Sequence, residues 1–151
     1  ESFYINFLKN INIYLRNKSA LFVFLKSKFM KSDEKHFNLL NSYYNDQDIL
    51  IKFKKTLFEM DNFAKSKKLK VTYIILPYSY QTKNNCNKNI LFPQNKIKNI
   101  FSELKISVYD FTKEFCLESK KRLFLNYDPV HLSEDGHFFV NNLLINKIYN
   151  N

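Results

Sequence analysis

The sequence predicts an α/β fold built on an open parallel sheet, and three observations carry that prediction. Val71-Thr-Tyr-Ile-Ile-Leu76 is β-branched and almost continuously apolar, as a strand buried on both faces would be. Amphipathic helical patterns lie before and after it. A second short apolar run, Ile106 to Tyr109, then follows the later helix. Helix, buried strand, helix and strand is the order of elements in parallel α/β units.

In chain order, residues 1–30 form a helical segment in which Leu8, Ile11 and Leu15 recur at helical spacing. Ser19 is placed to cap a second short helix over Ala20 to Phe29. The expected role of this pair is to pack over another part of the protein. Lys31 to Lys35 is a charged break, His36 to Tyr44 starts another helix, and Asn45-Asp46-Gln47-Asp48 is a polar loop with cap residues. Leu50, Phe53, Leu57, Met60 and Ala64 step by three and four, which predicts an amphipathic helix over 48–66.

After the strand at 71–76, Pro77 stops the extended run, and residues 78–89 read as an irregular polar loop. Pro93 is tolerated at the start of a helix over 93–104, where the first N–H groups have no intrahelical acceptor. The strand at 106–109 ends at Asp110. Val140, Leu143, Leu144 and Ile148 form the apolar stripe of a last helix over 133–149, with Ser133 as its N-cap. No repeat or linker divides residues 1–151, so they read as a single domain. Two strands are few for such a sheet, and the strand at 71–76 is expected to have neighbours that these residues do not supply. The chain therefore reads as the C-terminal portion of an incomplete domain.

The chain has 24 basic and 14 acidic residues, a net charge of +10, which invites a nucleic-acid or anionic-membrane reading. The lysines are scattered among Asn, Ile, Phe and Tyr, which is compositional drift rather than a clustered footprint, and no specific nucleic acid is expected as a partner. A small basic protein that binds nucleic acid or a membrane surface stands as a second alternative. Cys86 and Cys116 make neither C-x-x-C nor zinc spacing, and one disulfide or two free thiols are equally compatible with them. No run approaches the roughly 18 apolar residues of a membrane span. The chain begins at Glu1 rather than Met, which leaves room for a leader or anchor and keeps periplasmic, membrane-anchored and cytoplasmic locations open.

Chemistry concentrates in the loop at 125–137, Leu-Asn-Tyr-Asp-Pro-Val-His-Leu-Ser-Glu-Asp-Gly-His. Asp128 and His131 stand three residues apart, and Pro129 stiffens the link between them. An aspartate that orients a histidine is the base half of a nucleophilic triad. Tyr78, Ser79, Tyr80 and Gln81, after the first strand, are candidates to border a substrate cleft. Asp110 reads as a cap for the segment at Phe111, His137 as a packing or solvent residue, and His36 has no evident partner.

Tyr127-Asp-Pro-Val-His-Leu-Ser-Glu-Asp-Gly-His137, followed by an apolar helix, resembles the last sequence block of the SGNH/GDSL hydrolases. Val71 to Pro77 is similar to that family's late parallel strand ending in proline, and Leu104 to Thr112 to its next strand. The segment from Phe7 to Leu25 is similar to a helical insertion of bacterial members. The resemblance implies a three-layer α/β/α fold with a flavodoxin-like parallel sheet, of which this chain is the C-terminal half. It implies a serine esterase, or an enzyme transferring O-acyl groups on a carbohydrate, with His131 as general base and Asp128 orienting it. An ester substrate, an acylated carbohydrate or lipid, and the missing N-terminal half would be the partners, and no metal or cofactor is implied. Gly136 is the only glycine, so the Gly-Asp-Ser nucleophile block and the oxyanion-hole glycine are absent, and Gly-x-Asn-Asp has no match. By itself the chain is expected to be inactive. A non-catalytic relative serving as a binding module is the first alternative.

Overall fold

The structure, a computed structural model, describes residues 3–29, 32–125, 128 and 130–149. Met30 and the Asn126, Tyr127 and Pro129 positions of the loop lie outside the described residues. The chain divides into two compact units, residues 1–32 and 33–151.

The first unit contains α1 (Phe3–Lys18) and α2 (Ala20–Phe29). Ser19 joins them. Its hydroxyl accepts from Phe22 N at 3.1 Å, while its backbone continues helical hydrogen bonding to Leu15 and Val23.

The second unit runs α3 (Ser32–Tyr43), α4 (Gln47–Ser66), β1 (Tyr73–Ile75), α5 (Ser79–Lys83), a 3₁₀ turn (Lys88–Ile90), α6 (Phe92–Glu103), β2 (Val108–Asp110), α7 (Thr112–Leu117) and α8 (Glu134–Leu144), closing in a π-helical turn (Ile145–Tyr149). Asp46 caps α4 by accepting from Asp48 N and Ile49 N. β1 and β2 pair in parallel, with Tyr73 opposite Val108 and Ile75 opposite Asp110.

Side-chain alternation divides the core between the two faces of this ladder. Tyr73, Ile75 and Val108 face a cluster with Leu57 of α4 and Ile100 and Phe101 of α6. Leu76 and Tyr109 face the other, built from Phe111, Phe115, Leu123, Phe124 and Val140.

The expected three-layer α/β/α sheet is not the architecture. The described residues are mostly helical, and their only strands are two short segments of three residues each. Within 71–76 and 106–109, only Tyr73–Ile75 and Val108–Tyr109 are strand, the second strand running on to Asp110. The physical reason is a lack of neighbours. β1 has one partner among the described residues, and Ile74 remains 36% exposed on a face that a full helix layer would cover in a three-layer fold. Residues 78–89, expected as irregular loop, contain α5 instead.

Three helices end in the same device. After α4, α5 and α6 the chain turns through Lys68, Asn85 and Lys105 at positive φ. In each case the amide of that residue and the amide after it bond back into the last turn, as in Lys68 N to Lys65 O and Leu69 N to Ala64 O. This is the Schellman termination, usually made with glycine. Here lysine and asparagine accept the left-handed conformation, and the turns after α4 and α6 aim the chain toward β1 and β2.

A disulfide between Cys86 and Cys116, 30 residues apart, ties the segment after α5 to α7. Closing a loop of that size restricts the unfolded chain by about 3–4 kcal/mol in the chain-entropy account.

Candidate functional site

The site grows from the packing of α8 against the strand-like segment before it. Leu123 and Phe124 are buried, and Phe124 makes an antiparallel bridge to Leu132. Leu125 N to His131 O (2.9 Å) and Ser133 N to Leu123 O (3.0 Å) flank that bridge and fix the two ends of the Asp128–His131 segment. Ser133 caps α8 by accepting from Gly136 N, and its hydroxyl donates to Arg122 O at 2.6 Å. Gly136 lies against this base so closely that a Cβ would sit 2.0 Å from the Leu123 carbonyl oxygen. Here the only glycine of the chain is required by close approach rather than by backbone conformation.

Asp128 and His131 meet on this loop. Asp128 Oδ1 accepts from both Val130 N and His131 N at 2.9 Å, and Oδ2 lies 2.7 Å from His131 Nδ1. The backbone amide of His131 contributes most to holding the Asp128 carboxyl down at about 2, opposed by partial burial and helped by Val130 N and the imidazole. An ionised carboxylate only accepts hydrogen bonds, so the neutral imidazole carries its proton on Nδ1 and presents the Nε2 lone pair outward. The His131 side chain is 75% exposed, so Nε2 is reachable. Chemically, the arrangement is a base with a fixed tautomer. No serine or threonine hydroxyl among the described residues is hydrogen-bonded to His131. Both cysteines are consumed in the disulfide.

The loop candidates after β1 make no hydrogen bond, ion pair or ring contact to this pair among the described residues. Ser79 is buried and its hydroxyl donates to Asp33 Oδ2 at 3.2 Å. Tyr80 stacks on Phe37. Tyr78 shares a 2.9 Å hydroxyl hydrogen bond with Tyr44, and burial, followed by that bond, pushes its phenol up. Together with Leu40, Leu50, Phe53 and Ile97 these two tyrosines wall an apolar cavity of about 200 Å³.

Gln81 is fully buried. Its amide pairs reciprocally with Gln94 at 2.7 Å, donates to Ile90 O and accepts from Tyr78 N, so every polar atom is satisfied and α5 is locked in place. Asp110 precedes the Phe111 N-cap of α7, accepts from Thr112 N at 3.0 Å and pairs with Lys98 at 3.1 Å. His137 is exposed on α8, and His36 lies on α3. Among the described residues no group of three or more His, Cys, Asp or Glu side chains is gathered for a metal.

Reading the residues singly overlooked the contributions of Tyr44, Gln94 and the Leu123 carbonyl. For the last of these a signal existed, since a lone glycine inside a helical pattern marks a close contact. Set against known proteins, the chain matches no protein-family model, no curated protein and no solved structure.

Two outcomes follow from this geometry. Because the Asp128 carboxyl is lowered, the clamp contributes fully above its ordinary value of 3.8 and is lost as pH falls toward about 2. A carbon-detected NMR titration of Asp128 should give a midpoint near 2, with the Val130 and His131 amide shifts moving in the same step. Gly136→Ala should destabilise the protein by about 2–3 kcal/mol in urea melts, since backbone rather than a flexible side chain must yield.

Proposed function

We propose that Asp128 and His131 are the orienting acid and general base of a serine-type acyl-ester hydrolase or O-acyl transferase. The observation that carries this reading is the three-donor clamp on Asp128, which spends one carboxylate oxygen on the loop backbone and aims the other at Nδ1. A carboxylate serving only as a turn residue needs the first of these contacts and not the second. The resemblance of the loop to the last block of the SGNH hydrolases supports the same reading.

In this proposal the nucleophilic serine and the oxyanion donors come from outside residues 1–151. As the serine oxygen attacks the acyl carbonyl, its proton passes to Nε2, and Asp128 stabilises the imidazolium that results. His131 then gives that proton to the leaving alkoxide. Water or a sugar hydroxyl, deprotonated at the same Nε2, takes the acyl group and releases the serine.

The test is turnover of an activated acyl ester such as nitrophenyl acetate, by the protein in which this chain accompanies a nucleophile. His131→Ala should lower kcat at least 100-fold, the low end of what a positioned general base supplies, with the urea midpoint unchanged. Unchanged turnover in that variant contradicts the proposal. If the wild-type protein turns over no ester at all, the binding-module reading takes its place, favoured by the apolar cavity beside Tyr44 and Tyr78.

A further inference from the structure

The first unit holds six of the 24 basic residues and one of the 14 acidic residues, so about a fifth of the chain carries half of the net charge of +10. From Ser2 to Ser32 there is no carboxylate side chain, while Lys9, Arg16, Lys18, Lys26, Lys28 and Lys31 all fall there. The scatter of lysines along the whole sequence hides this concentration until the chain is divided at its structural boundary.

The same unit exposes many of the apolar residues described in it. On α1, Phe7, Leu8, Ile11 and Tyr14 share one arc, and all four are exposed. On α2 five consecutive apolar residues, Leu21 to Leu25, go round the helix, and Leu21 is 66% exposed. A helix apolar on all sides belongs in a core or in lipid. No helix among the described residues is long and apolar enough to cross a membrane. A second copy of this unit would bring one basic surface against another, and a nucleic acid has no use for the apolar arc. An anionic lipid surface satisfies both features, taking the apolar side chains at its acyl boundary and the lysines and arginine at its phosphates.

We propose that α1 and α2 dock this protein on an anionic membrane surface. This is independent of the acyl-transfer reading, since no residue of the Asp128–His131 loop takes part.

The test is flotation of the 151-residue chain with phosphatidylcholine vesicles, with and without about a third phosphatidylglycerol. Binding should require the anionic lipid and weaken as salt is raised. Arg16→Gln/Lys18→Gln should weaken it about 30-fold, at the usual contribution of a basic residue near an anionic surface. Leu21→Ser/Leu25→Ser should weaken it at least ~10-fold through lost apolar burial. Circular dichroism of both variants should match wild type, because all four side chains are exposed. Any of four results overturns the proposal: no vesicle binding, equal binding to both vesicle types, self-association that depends on Leu21 and Leu25 without lipid, or capture of a DNA duplex in place of vesicles.

Discussion

The close approach of α8 to the Leu123 carbonyl is the contact on which the loop geometry depends. Gly136 permits it, Ser133 bonds both sides of it, and the Phe124–Leu132 bridge extends it toward the loop. Below this contact lies the aromatic cluster of Phe111, Phe115 and Phe124, which gives the loop a rigid floor. Above it, only a few residues separate Leu125 from His131, so a carboxylate at position 128 has little choice but to bond the amides that follow. The orientation of His131 is thus set in stages, from core packing, to helix capping, to an Asp turn, to one side-chain hydrogen bond. Each stage removes freedom that the next would otherwise have to overcome.

The parts of this arrangement that could be read from sequence are those encoded within a few residues. Asp-x-x-His brings a carboxylate to an imidazole by local geometry alone, and Ser133 ahead of an apolar stripe marks a helix start. The stepping of Leu50 to Ala64 places α4 for the same reason. What escaped were features made by distant residues or by unusual turn chemistry. Gln81 looks like a loop residue until Gln94, thirteen positions on, supplies its partner. The Schellman turns at Lys68, Asn85 and Lys105 lack the glycine that normally advertises them, because this chain has only one and spends it at position 136. The sequence overstates the sheet, because apolar, β-branched runs record burial and not the number of neighbouring strands. Two helical layers can bury Ile75 without any third strand.

Division of the chain also changes how its charge is understood. As one composition, +10 is a diffuse property. As two units, half of it falls in the first 32 residues, where it coincides with an exposed apolar helix pair. In the second unit 18 basic residues stand among 13 acidic ones, and some of them are paired, with Lys54 on Glu103, Lys98 on Asp110 and Lys147 on Glu114. Exposed pairs of this kind contribute little to stability.

Asp128 holds the neutral His131 imidazole with its proton on Nδ1 and its Nε2 lone pair toward solvent. Long-range proton–nitrogen correlation NMR of the imidazole reads this directly. The neutral imidazole of the wild-type chain should show an unprotonated Nε2 and a protonated Nδ1, and Asp128→Ala should lose that preference. A protonated Nε2, or the same tautomer mixture in both proteins, would contradict it.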